Sequence, residues 1–328
     1  MTSHKSCKLG IMFRREHPPE TLPDFSRRAE QAGFDELWVV EDCFYGSGIA
    51  SAATALASTR ALAVGLGIMP VVARNSVFAA MEIATLARLY PGRFLPGFGH
   101  GVADWMRQVG AFPESQLSAI EEVTLAVRRL LAGKQVTFDG RYVHLQDAQL
   151  IHPPQQIPPV SLGVIGPRSL ALSGRVADGN ILSEYASPAY VSWAIEQIKT
   201  AIPDADPHHH YITVFAWACA EPTASAAYAR LRPMMASAMA SGEIDVKLEK
   251  MGILPKVREY REAGGKDYLE ARLPDSWIAR LAIAGTPADW SFSIDRLVEA
   301  GAESIVLVPL PEAGLDELEK FAENLAAI

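Results

Sequence analysis

Eight times along this 328-residue chain, a short apolar run gives way to a stripe of apolar residues at three- and four-residue spacing. The runs are Leu9–Phe13, Glu36–Val40, Leu62–Met69, Arg93–Phe98, Val160–Ile165, Gly179–Ser183, Tyr211–Cys219 and Ser304–Pro309. A strand that is apolar throughout must be covered on both faces, and its covering helices come from the segments between strands. The stripes fit that role. Leu22, Phe25, Ala29 and Ala32 mark one helix face closed by Gly33, while Leu117, Ile120, Thr124, Val127 and Leu131 mark another. Near the end, Thr286 is placed to cap a helix with Pro287 first and Asp289 third. No GxGxxG follows the first strand, which argues against a doubly wound dinucleotide fold. The pattern predicts one (β/α)8 TIM barrel spanning residues 1–328.

Two segments stand outside the alternation. Within 134–159, Asp139-Gly140 lies between β-prone residues, which predicts a tight hairpin. Within 243–273, a charged stretch containing Gly264-Gly265 predicts a helical insertion over one barrel end.

Charge narrows the partners. Thirty Lys and Arg face 38 Asp and Glu, a net −8, which excludes broad binding to nucleic acid or an anionic membrane and requires any phosphate to be held locally. The uncharged run Cys43–Thr59 is broken by Gly and Ser and is not a spanning helix. Lys5, Lys8, Arg14 and Arg15 surround only the apolar Leu9–Phe13, too short for a signal-peptide core. Cys7, Cys43 and Cys219 have no paired spacing, so a reducing cytoplasm is the expected location.

Chemistry in a barrel sits where strands end and βα loops begin. Gly97-Phe-Gly-His-Gly101 allows close backbone approach to a flat or phosphorylated ligand, or is simply a barrel-corner turn. Gly163-Val-Ile-Gly-Pro-Arg-Ser169 joins a strand to a helix start, which is either a plain helix terminus or an anion site with Arg168 and Ser169 as added donors. Glu41-Asp42 closes the second strand. At most one of the pair points into the cleft, as acid/base or ring partner, and the alternative is a rim carboxylate. His208-His-His210 precedes a strand, at the end away from chemistry, and no metal-ligand spacing accompanies it, so no metal site is expected.

Several of these segments together resemble the luciferase-like monooxygenase superfamily. They are Gly33–Asp42, Gly67-Ile-Met-Pro70 with Arg74-Asn75, Leu89–Phe94 through Gly99-His-Gly101, and Gly166-Pro-Arg-Ser169 through Ala177-Asp-Gly179. Within it, the chain is most similar to the coenzyme F420-dependent, methylenetetrahydromethanopterin reductase-like branch. The resemblance implies a flavin-type ring across the strand ends and a bulge with a non-proline cis peptide near Gly67-Ile68. Glu41, Gly67, Ile68, Pro70, Asn75, Gly99, His100, Gly101, Gly163 and Val164 would surround the cofactor, with Gly166, Pro167, Arg168 and Ser169 at its phosphate.

Two positions depart from the family pattern. Many relatives follow the acid of the second strand with His, where this chain continues Glu41, Asp42, Cys43, and some carry Glu where this chain has Val102. Asp42, His100 and Glu184 are the substitute acid/base candidates. The expected activity is hydride transfer between F420 and a small organic substrate. The alternatives are an FMN-dependent monooxygenase using O2 and a non-catalytic flavin-binding protein. A homodimer is expected, with the hairpin and the charged insertion as contact candidates.

Overall fold

Strands form where the apolar runs predict them, and helices where the stripes do. The computed structural model describes residues 7–203 and 208–328. Its strands are β1 (Lys8–Met12), β2 (Glu36–Val39), β3 (Ala63–Pro70), β4 (Phe94–Gly99), β5 (Val136–Asp139), β6 (His144–Ala148), β7 (Ser161–Gly163), β8 (Gly179–Leu182), β9 (Tyr211–Ala220), β10 (Ala282–Gly285) and β11 (Ser304–Val308). The strands other than β5 and β6 belong to the main sheet, and the fold is a (β/α)8 barrel. The chain divides into two compact units.

The first unit comprises Phe13–Ile181 and Gln197–Tyr211. In it β2, β3, β4, β7 and β8 pair in parallel, covered by helices such as Ser76–Leu89 and Gln116–Leu131. The β3–β4 register shifts between Leu66 and Met69, and Gly67–Ile68 is cis, as is Cys43–Phe44. The bulge places Ile68 over a floor of glycines. A Cβ on Gly99 would lie 2.7 Å from Ile68 Cγ1, and one on Gly163 would lie 2.5 Å from Ile68 Cγ2. Only glycine backbone leaves that volume to the isoleucine.

The hairpin is present but its turn is longer than Asp139-Gly140 alone predicts. The ladder closes at Asp139 opposite His144, leaving residues 140–143 as the loop. The cause lies outside the hairpin. The Glu122 carboxylate, on helix Gln116–Leu131, accepts from the backbone N–H of Arg141 (3.0 Å), Tyr142 (2.7 Å) and Val143 (3.1 Å). Those donors are engaged by a side chain and do not join a two-residue turn.

The second unit comprises Met1–Met12, Leu182–Glu196 and Ile212–Ile328. There β1 pairs with β11, and β9 pairs with β11 through Thr213–Trp217 and with β10 through Trp217–Ala220. The charged segment is helical over Asp245–Lys250, Leu254–Arg272 and Asp275–Leu281, with non-helical backbone at Gly264 and Gly265. Thr286 and Asp289 form a complete capping box, with Pro287 in the first turn. No helix among the described residues is long and apolar enough to cross a membrane.

Candidate active site

The cofactor candidates of the first unit gather at the C-terminal ends of β3, β4 and β7. His100 follows β4, and its Nε2 lies 3.4 Å from Ser169 Oγ, so the Gly-His-Gly turn and the Gly166–Ser169 loop meet. His100 Nδ1 is buried without a hydrogen-bond partner, and burial lowers the imidazole pKa below its usual value. Gly101 takes a left-handed backbone (φ +70°), which suits a glycine there.

The helix Pro167–Val176 begins without a side-chain cap. Gly166 is its N-cap, Pro167 occupies the first turn, and the space beside Gly166 is open. The uncapped N–H groups of that turn carry the positive end of the helix dipole, with the exposed Arg168 beside them. Behind the loop, the fully buried Asn180 on β8 donates from Nδ2 to the Val164 carbonyl at 3.4 Å. Asn180 is absent from the predicted set. Its one sequence signal is an amide inside an otherwise apolar strand.

Other predicted residues have local tasks. Glu41 Oε1 accepts from Arg74 Nη2 (2.5 Å) and from Gly48 N (3.2 Å) at the start of helix Gly48–Ser58, while its Oε2 is buried without a partner. Asn75 is exposed and caps helix Ser76–Leu89 by accepting from Val77 N at 2.8 Å. Pro70 ends β3 and is buried, and Gly67 and Ile68 form the bulge. Asp42 is engaged by Arg15, whose guanidinium also reaches Glu16 at 3.1 Å.

Glu184 belongs to the second unit, just after β8. Its backbone carbonyl accepts from Lys247 Nζ at 2.6 Å. The same ammonium donates to Ser183 O (3.0 Å) and Ser183 Oγ (2.7 Å), and burial pushes Lys247 down to about 8, with Glu184 opposing the shift. Tyr185, next in the chain, has a positive φ of 64° and lies 6.0 Å from the Trp217 ring. Lys247 was invisible in the sequence because it is one lysine in a charged stretch.

The histidine run has a structural setting where described. His210 is buried, with Nε2 3.4 Å from Ser173 Oγ, and burial with the adjacent His208 and His209 lowers it to about 4. Residues 204–207 before it lie outside the described residues, as does Lys5. Among the described residues, no group of three or more His, Cys, Asp or Glu converges on a metal position.

This geometry defines a barrel whose strand ends bring a glycine floor, His100 and an uncapped helix start together. The luciferase-like monooxygenase family model matches residues 7–304, and the chain belongs to that family. It is 29% identical over 307 residues to the 5,10-methylenetetrahydromethanopterin reductase of Methanolobus tindarius, covering 91% of this chain and 93% of that protein. It is 30% identical over 193 residues to the F420-dependent glucose-6-phosphate dehydrogenase of Kineococcus radiotolerans, covering 55% of this chain and 57% of that one. The solved coenzyme F420-dependent tetrahydromethanopterin reductase of Methanopyrus kandleri shares the fold, with a TM-score of 0.82 at 21% identity over 98% of this chain and 99% of that one.

Proposed function

We propose that this protein is a coenzyme F420-dependent oxidoreductase that transfers hydride between the deazaflavin and a small organic substrate. The observation that carries the reading is the convergence of His100 and Ser169 at 3.4 Å between a glycine floor and an uncapped helix start. The residues fit the group. The floor of Gly99 and Gly163 under Ile68 supports a flat ring, and the open volume at Gly166 with Arg168 and Ser169 suits its phosphate. When bound, the deazaflavin supplies or receives the hydride at its ring carbon.

The chain's own residues orient the reactants and move the proton. As substrate loses hydride, its oxygen loses a proton to a protein base; in the reverse direction that oxygen regains the proton. Neutral His100, its basicity lowered by burial, is the acceptor we assign, because its buried Nδ1 lacks any protein partner. Asp42, on the loop after β2, fixes Arg15. Cys43 and Cys219 form no disulfide among the described residues, which supports a cytoplasmic location. Exposed Phe78 (61%), Met81 (48%) and Leu89 (64%) on one helix support a homodimer.

Arg168→Ala is expected to raise the dissociation constant for F420 by about 10- to 100-fold, the effect of losing a charge-assisted phosphate contact. The loss should grow smaller at high salt. Fluorescence titration checks both. Unchanged affinity in Arg168→Ala would remove the phosphate from this loop.

A further inference from the structure

The arginines of the βα loops look at first like a site for an anionic substrate, but their partners say otherwise. Arg14 Nη2 lies 3.0 Å from Glu16 Oε1, and its Nε makes a second bond to the same carboxylate. Arg15 bridges Glu16 and Asp42. Arg74 bridges Glu41 at 2.5 Å and Glu82 at 3.4 Å. Arg107 pairs with Asp104 at 2.7 Å. Four guanidinium groups therefore face five carboxylates within one loop cluster. Of these loop arginines, Arg168 alone has no ion pair among the described residues, and the proposed cofactor phosphate takes it.

What these pairs leave open is apolar. The Arg15 guanidinium lies between two rings, 4.9 Å from the Tyr45 centroid and 5.3 Å from the Trp105 centroid. Tyr45 (50%) and its neighbour Phe44 (63%) are exposed on the loop after β2. Val102 (46%) and Phe112 (37%) are exposed on the segment after β4, around the short helix Ala103–Gln108 that carries Trp105. The guanidinium planes serve as supports for aromatic faces, with their charge already compensated.

We infer that this rim selects a neutral, apolar substrate carrying one carbonyl or hydroxyl group, and rejects phosphorylated or otherwise anionic ones. A dianion entering here would meet carboxylates whose cations are already engaged, and it would lose its hydration without a new counter-charge. An alkyl or aryl body would instead cover exposed rings. This specificity rests on the deazaflavin reading, and the test separates the two.

F420 is first titrated into the protein by deazaflavin fluorescence; failure to bind would overturn the cofactor reading, whatever the rim does. Methyl ketones from 2-butanone to 2-octanone, and glucose 6-phosphate, are then titrated by calorimetry into protein with and without F420. Ketone affinity is expected to rise about three- to four-fold per added methylene, the value of burying one CH2. Glucose 6-phosphate is expected to give no heat. Trp105→Ala should flatten the ketone series at unchanged F420 affinity. Glu16→Gln, which removes the carboxylate shared by Arg14 and Arg15, should acquire glucose 6-phosphate binding. Three results would overturn the inference: a flat ketone series in the parent protein, glucose 6-phosphate binding tighter than 2-octanone, or Trp105→Ala altering only the association state in light scattering.

Discussion

Gly163→Ala is expected to weaken F420 binding roughly 5- to 150-fold while leaving the helical content of the protein unchanged. The added Cβ would lie 2.5 Å from Ile68 Cγ2, a methyl on a β-branched carbon with little rotamer freedom. Ile68 has no retreat along the floor, because Gly99 already receives it so closely that a Cβ there would meet Ile68 Cγ1 at 2.7 Å and Cδ1 at 2.8 Å. The overlap is relieved only by lifting the 66–69 bulge toward the proposed ring position. Overpacking of this kind costs about 1–3 kcal/mol, equivalent to roughly 5- to 150-fold if it is expressed against the ligand. Ile68→Ala should suppress the defect, since it deletes the methyl that collides. The double variant should then bind F420 within a few-fold of Ile68→Ala alone. Strict additivity of the two substitutions in the fluorescence titration would show that Gly163 and Ile68 do not share this volume.

The second large effect concerns stability and pH. Lys247 is fully buried with three oxygen acceptors, and burial lowers it from about 10.5 to about 8. Between those values the unfolded chain holds the proton and the folded chain does not, so folding stability from this group rises with pH across that window and is lost as pH falls through about 8. The full excursion is on the order of 3 kcal/mol. Lys247→Met keeps the volume and removes the titration. The difference between parent and variant in urea-denaturation free energy should therefore change by that amount between the two ends of the window. Parallel curves would mean that the ammonium is not desolvated as its setting implies. The variant should also loosen the Ser183–Glu184 carbonyls that the ammonium holds, just ahead of the left-handed Tyr185.

Periodicity made the barrel legible. A buried parallel strand is apolar at every position and its helix carries a stripe, and both signals are local. The strand β10 escaped because Ala282–Gly285 continues the apolar pattern of helix Asp275–Leu281 without a break, so only pairing with β9 distinguishes it. The hairpin loop escaped because its geometry is dictated by Glu122, well away in sequence. The glycine and His100 parts of the candidate site were legible because close approach demands specific residue types. Asn180, Lys247 and the Glu41–Arg74–Glu82 cluster were not, since burial and partner choice belong to the folded chain and leave no spacing signature.

This barrel end is proposed to hold a deazaflavin and to use it for hydride transfer. The direct measurement is equilibrium titration, without oxygen, of protein made in a host lacking F420, with F420 and FMN in parallel. The protein is expected to be colourless, to bind F420 and to leave FMN free at the same concentrations. Yellow protein retaining FMN, with no fluorescence change on adding F420, would contradict it.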